Sequence, residues 1–200
     1  YFLEALHPFV WRRSLDFGAI GEISSVTTRI RDHYAQGQKF GPGYDLKRGR
    51  GGIREIEFFA QAHQLIHGGR EPELREPATL PALAALARAG RISEADRAAL
   101  GDAFRLPRTD EHRLQMVDDR QTHSLPRDGD ALDNVARLHG LGGRARLLGL
   151  VGAHVTRVAA IYDTLAAGDE QRLPSDPVAL TAALGRAGFP DPEAARGRIE

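Results

Sequence analysis

The sequence predicts an all-α protein, a helical bundle followed by a short helical C-terminal appendage, and three observations carry that expectation. Apolar residues recur at helical spacing over two long stretches, Ile53 to Ile66 and Leu147 to Leu165. Helix punctuation is frequent: Asp-Pro pairs at Asp176-Pro177 and Asp191-Pro192, and glycines at Gly68-Gly69, Gly90 and Gly140. No series of alternating segments bounded by turns supports a sheet. The expected organisation is a helical bundle over 1–168, then a linker and the start of another helical unit over 169–200.

Size and composition narrow the function classes. The 200 residues suffice to bury a sizeable core, and 27 basic residues balance 27 acidic ones, which argues against a general nucleic-acid or membrane-surface binder. There is no cysteine, so disulfides, thiolate metal sites and thiol nucleophiles are excluded. No apolar run reaches membrane-spanning length and no leader pattern opens the chain, so a cytoplasmic location is expected. The chain begins at Tyr1 without a methionine, as a piece of a longer protein would.

Taken in order, Tyr1 to Gln36 reads as helix, with Pro8 placed as a first-turn proline starting a new segment. Arg12 and Arg13 fit an exposed helix face. Gly37 to Gly43 is a loop that feeds the stretch of greatest interest, Asp45 to Phe59, D-L-K-R-G-R-G-G-I-R-E-I-E-F-F. Gly49, Gly51 and Gly52 alternate with Lys47, Arg48, Arg50 and Arg54 directly before a helix. Glycines permit close backbone approach, and a helix start offers unpaired N–H groups and a positive dipole end, so this is a candidate phosphate site. The plain alternative is a tight turn with solvated arginines.

At the helical repeat Arg54, Glu57, Gln61 and Gln64 form a polar stripe, while Ile53, Ile56, Phe58, Phe59, Ala60, Ala62, Leu65 and Ile66 fill the rest. Glu55 falls inside the apolar arc, where an unpaired carboxylate is costly, and a basic partner among Arg12, Arg13 or the loop arginines is expected. Glu57 faces either a ligand or solvent. His63 and His67 have a metal-compatible spacing without a third ligand, and packing or surface roles are expected of them.

Thr79 is expected to cap a helix ending near Ala89, and Ser93 with Asp96 to open a long helix reaching about Asp119, interrupted by Pro107. Glu111, His112, Gln115 and the pair Asp118-Asp119 lie on that stretch; adjacent aspartates could ligate magnesium, but they point to different helix faces. An aspartate in the turn from Pro126 to Asp130 can cap the helix ending at His139.

The run from Asp45 to Gln61 resembles the signature of the bacterial bifunctional glutamine synthetase adenylyltransferase/adenylyl-removing enzyme family. Pro8-Phe9-Val10-Trp11-Arg12-Arg13, Gly68-Gly69-Arg70-Glu71-Pro72, Glu111-His112-Arg113-Leu114-Gln115 and Gln121-Thr122-His123-Ser124-Leu125-Pro126 resemble further family segments. Arg50 and Arg54-Glu55 are similar to the half that removes AMP. The resemblance implies the helical domain behind the first nucleotidyltransferase domain. It implies glutamine synthetase, the PII signalling protein and that preceding domain as partners, with magnesium and ATP, ADP or phosphate in the full-length enzyme. The implied nucleotide- or phosphate-binding set is Lys47, Arg48, Gly49, Arg50, Gly51, Gly52, Arg54, Glu57 and Gln61. No catalytic residue and no metal ligand are expected here, because the Gly-Ser or Gly-Gly turn with Asp-x-Asp that marks the catalytic domain is missing. The isolated fragment is therefore expected to be inactive. Pro107 and Asp110 depart from the family pattern.

Three other readings remain. The related uridylyltransferase of PII has a similar helical domain, although its loop tends to continue Leu-Arg-Asp-Ile where this chain has Ile53-Arg54-Glu55-Ile56. The second is a regulatory module that binds PII or glutamine synthetase outside the cleft, and the third a rigid helical spacer.

Overall fold

The computed structural model describes residues 2–12, 22, 25, 26, 29, 32, 33, 39–105, 123–167, 176–186 and 191–197. Its elements are α1 (Phe2–Val10), α2 (Ile53–His67), a 3₁₀ turn (Pro72–Leu74), α3 (Thr79–Arg88), a helix over residues 94–105 (α4), α5 (Gly129–Leu138), α6 (Arg144–Ala167), α7 (Pro177–Arg186) and α8 (Pro192–Arg196). Among the described residues the only extended pairing is a single antiparallel bridge between Asp45 and Ser124, so the fold is all-α as expected. The chain divides into two compact units, Tyr1–Ala166 and Ala167–Glu200.

In the first unit two apolar clusters share one long helix. Ile53, Ile56 and Phe59 of α2 pack with Leu74, with Leu83 and Leu86 of α3, with Leu100 and Phe104 of α4, and with Val158, Ile161 and Tyr162 of α6. Tyr44, Leu46 and Leu125 pack with Leu132, Val135 and Ala136 of α5 and with Leu147 and Val151 of α6. The 24-residue α6 thus feeds its first turns to one cluster and its later turns to the other.

The helix ends follow local chemistry. Ser93 Oγ accepts the Asp96 amide at 3.0 Å, and its hydroxyl donates to Asp96 Oδ2 at 2.7 Å. The expected cap of α4 is present, and its aspartate is held from α6, whose Arg157 donates to Asp96 Oδ1 at 2.9 Å. Asp128 caps α5 through the Ala131 amide. Asp133 reaches across from α5 to accept the Arg144 amide at 2.7 Å at the start of α6. Gln64 is buried and donates to the Leu74 and Glu76 carbonyls, tying α2 to the chain that follows it.

Three expectations need correction. Thr79 is the first helical residue of α3, and extended Ala78 is its N-cap, without a side-chain bond. Pro8 lies inside α1, near its end; α1 stops two residues later at Val10. Gln64 belongs to the interior and not to the polar stripe, because the carbonyls of the following turn satisfy its amide there. Arg13, most of the expected helix up to Gln36, and the stretch holding Pro107, Glu111, His112, Gln115, Asp118, Asp119, Gln121 and Thr122 lie outside the described residues.

Helix α1 meets the end of α2 through His7 and Trp11, one helical turn apart. The Arg75 guanidinium lies 5.5 Å from the Trp11 ring centroid, donates to Gly68 O at 2.7 Å, and lies 2.7 Å from His7 Nε2. Arg12 stacks on Phe9, 5.1 Å from the ring centroid. In the second unit α7 and α8 pack on one another, with Leu180 and Leu184 buried. Pro192 follows the capping Asp191, whose carboxylate accepts the Ala194 amide at 3.0 Å.

Replacing Ser93 by alanine removes the α4 cap and leaves the Asp96 amide without its acceptor. Urea unfolding is expected to show a loss of about 1 kcal/mol, with an unchanged denaturant slope.

Candidate functional site: the glycine-rich loop before α2

The loop is built by turning its backbone inward. Asp45 Oδ1 accepts the amides of both Lys47 and Arg48 at 2.9 Å, an aspartate turn that starts the bend. The Gly49 amide donates to Asp45 O at 2.8 Å, and the Tyr44 hydroxyl donates to the Arg50 carbonyl. On the other side Tyr44 and Leu46 are held to the segment from His123 to Leu125 by Leu125 N to Tyr44 O at 2.9 Å and Leu46 N to His123 O at 2.9 Å. Two stretches about eighty residues apart in sequence are thereby joined.

The start of α2 is closed in the same way. The amides of Gly52, Ile53, Arg54 and Glu55 donate to the carbonyls of Gly49, Leu46, Lys47 and Gly52 at 2.9, 3.0, 3.0 and 3.1 Å. Four helix-start donors ordinarily lack partners; here loop carbonyls take them. The expected cradle of unpaired N–H groups is therefore corrected. A phosphate meeting this loop meets side chains, and the helix start contributes its dipole from behind.

The glycines serve that closure. Gly51 has φ +72°, and a Cβ there would overlap the Val155 carbonyl on α6. Only a residue without a side chain lets the loop backbone rest on the helix backbone. Gly49 and Gly52 are also buried, with Asp45 O and Leu46 O where their Cβ atoms would sit.

Glu55 is buried and its Oε2 accepts the Gly51 amide at 2.8 Å. It stands at the third helical position, where an acid both reaches back to the loop and faces the positive helix end. The Gly51 backbone amide, a partner that local sequence does not reveal, is thus one partner of the buried carboxylate. Burial, followed by the nearby Glu55 and Asp45 charges, pushes the Tyr44 phenol up to about 12, so it stays protonated and donating.

With the backbone committed inward, the charged side chains point out. Arg48 and Arg50 are exposed and Lys47 is half-buried. Arg50 Nη2 donates to Asp163 Oδ2 of α6 at 2.6 Å. Arg54 differs. Its guanidinium lies 6.0 Å from the Phe58 ring centroid, its Nε is buried without a hydrogen-bond partner, and among the described residues no carboxylate pairs with it. Glu57 is half-buried and Gln61 exposed, three and seven positions along α2 from Arg54. The structure thus brings Lys47 beside Arg54 through their backbone bond and sets Glu57 and Gln61 on the same helix; Arg50 is drawn toward α6.

Sequence reading missed Tyr44, Asp45, Val155 and Asp163. Asp45 carried a signal, an aspartate two residues before a turn; Val155 and Asp163 carried none, since contact with residues a hundred positions away is decided by packing. His63 lies between Phe59 and His67, its ring tilted against Phe59 at 4.7 Å and stacked on His67 at 5.9 Å between centroids, which agrees with a packing role. Among the described residues no three His, Asp or Glu side chains gather as a metal site requires, and no helix is long and apolar enough to cross a membrane.

The chain is thus an all-α unit with a basic, glycine-rich loop before α2. A family model described as GlnD PII-uridylyltransferase matches residues 24–166, and the chain belongs to that family. Its relatives include proteins named bifunctional glutamine synthetase adenylyltransferase/adenylyl-removing enzyme. That of Caulobacter vibrioides is 45% identical over 96% of this chain and 20% of its own length. Those of Bradyrhizobium diazoefficiens and Xanthobacter autotrophicus are 42% and 41% identical over 95% and 99% of this chain and 19% and 21% of theirs. The resemblance seen in the motifs therefore extends along nearly the whole chain, which spans about a fifth of these relatives' length.

Gly51→Ala should destabilise the first unit by more than about 2 kcal/mol, the left-handed strain adding to the collision with Val155, as measured by thermal unfolding. A second expectation concerns pH. Burial first, then the neighbouring His67, holds His63 down from 6.5 to about 4, so the unfolded chain binds more protons between those values. Stability is complete above pH 6.5 and falls progressively toward pH 4; His63→Gln should flatten that slope in urea titrations at pH 7 and 4.5.

Proposed function

We propose that this chain is the helical domain of a bifunctional glutamine synthetase adenylyltransferase/adenylyl-removing enzyme, and that its loop forms one wall of the nucleotide cleft of the half that removes AMP. The identity with enzymes of that name over nearly the whole chain supports the enzyme class. Arg54 is the single structural observation that carries the cleft reading: a half-buried cation with a buried, unpartnered Nε and no paired carboxylate among the described residues. Burying such a group costs free energy unless an anion meets it.

The reaction is phosphorolysis. An oxygen of inorganic phosphate attacks the phosphorus of AMP carried on a tyrosine of glutamine synthetase, the bond from phosphorus to the tyrosine oxygen breaks, and ADP and the protonated tyrosine are released. Phosphoryl chemistry of this kind asks the protein mainly for positioning and charge neutralisation. Lys47, Arg48, Arg50 and Arg54 balance phosphate charge, Glu57 and Gln61 orient the nucleotide or the substrate segment, and Gly49, Gly51 and Gly52 give the loop its shape. Among the described residues no cluster of His, Asp or Glu could hold a magnesium ion; on this reading its carboxylates come from the preceding nucleotidyltransferase domain. ATP serves the adenylylating half, PII is the regulatory partner, and the enzyme works in the cytoplasm.

In the full-length enzyme Arg54→Ala is expected to raise the KM for phosphate in deadenylylation about tenfold or more, the loss of one charge-assisted contact, while the melting temperature stays within a few degrees. An unchanged phosphate dependence would remove Arg54 from the cleft.

A further inference from the structure

The loop has one ionic contact with α6 that its folding does not require, the pair between Arg50 and Asp163 at 2.6 Å. The backbone on either side of Arg50 is fixed by other means: Tyr44 holds the Arg50 carbonyl, Glu55 holds the Gly51 amide, and Asp45 holds the amides of Lys47 and Arg48. Both partners of the pair are substantially exposed, 52% for the Arg50 side chain and 38% for Asp163. An exposed pair of this kind exchanges partners at little free-energy cost. It occupies one Nη2 donor of a guanidinium that carries five N–H groups.

We propose that Asp163 is a positioning residue of the anion site: it parks the Arg50 guanidinium on α6 and screens its charge, so that a phosphate oxyanion recruits Arg50 only by displacing the carboxylate. This rests on the cleft reading above. The loop then holds two kinds of cation. Arg54, which no carboxylate among the described residues pairs with, supplies the standing affinity, whereas Arg50 is compensated and adds its charge only when an oxyanion arrives. Asp163 thereby weakens resting anion binding and keeps the exposed edge of the loop from accumulating unneutralised positive charge.

The oxyanion can be inorganic phosphate or the AMP phosphate on glutamine synthetase, and steady-state kinetics of the full-length enzyme separates the two. Deadenylylation is followed while phosphate is varied at fixed adenylylated synthetase, and then the reverse. Asp163→Asn is expected to lower the KM for one of these substrates about two- to fivefold, the worth of an exposed ion pair, with kcat and melting temperature unchanged. The substrate whose KM moves is the one that Arg50 meets. The gain should vanish in the Asp163→Asn/Arg50→Ala double variant. No fall in either KM, a rise, or a gain that survives without Arg50 overturns the assignment. If Arg54→Ala raises a KM while Asp163→Asn lowers none, only the role of Asp163 falls; if Arg54→Ala changes neither, the cleft reading itself fails.

Discussion

The contact of Gly51 with α6 is the constraint on which the loop depends. At that point a left-handed residue brings backbone against the Val155 carbonyl, and the buried Glu55 carboxylate takes up the Gly51 amide. Neither half suffices alone. Without glycine the backbones could not approach, and without the carboxylate a buried amide would lack an acceptor, at a cost of roughly 1–3 kcal/mol. Because α6 serves both apolar clusters, fastening the loop to Val155 fastens it between them.

Closing the backbone this way changes what the loop can do. In a phosphate-binding loop built on amides the donors point at the ligand; here the amides from Gly52 to Glu55 are spent on loop carbonyls. Under the proposed function, recognition passes to the guanidinium and ammonium groups, which are longer-reaching and less rigidly placed. Arginine compensates in part, since its planar fork matches a phosphate with two donors at once. Phe58 beneath Arg54 restricts that side chain further.

The apolar periodicity of α2 and α6 was legible in the sequence because burial of one face imposes it. So were the aspartate and serine caps at Asp128, Asp191 and Ser93, which need only local hydrogen bonds. Thr79 misled because a threonine preceding an apolar run looks like a cap wherever it stands, and Ala78 takes the extended conformation instead. Gln64 misled because helical position alone cannot reveal that the chain folds back and offers two carbonyls. The loop's composition suggested an anion site without showing which of its amides and charges the fold itself takes up.

By itself, then, the sequence determined the helical class, the helix ends set by local capping, and membership in a family whose motifs span most of the chain. These follow from interactions within a few residues or from long shared motifs. Only the tertiary structure decided that the amides at the start of α2 face inward, that Glu55 answers to Gly51, that Arg50 lies on Asp163 and that the buried Arg54 Nε has no hydrogen-bond partner among the described residues. The physical reason is that hydrogen-bond donors and charges are apportioned by whichever groups packing brings within about 3 Å, and Asp163 reaches Arg50 across 113 residues of chain.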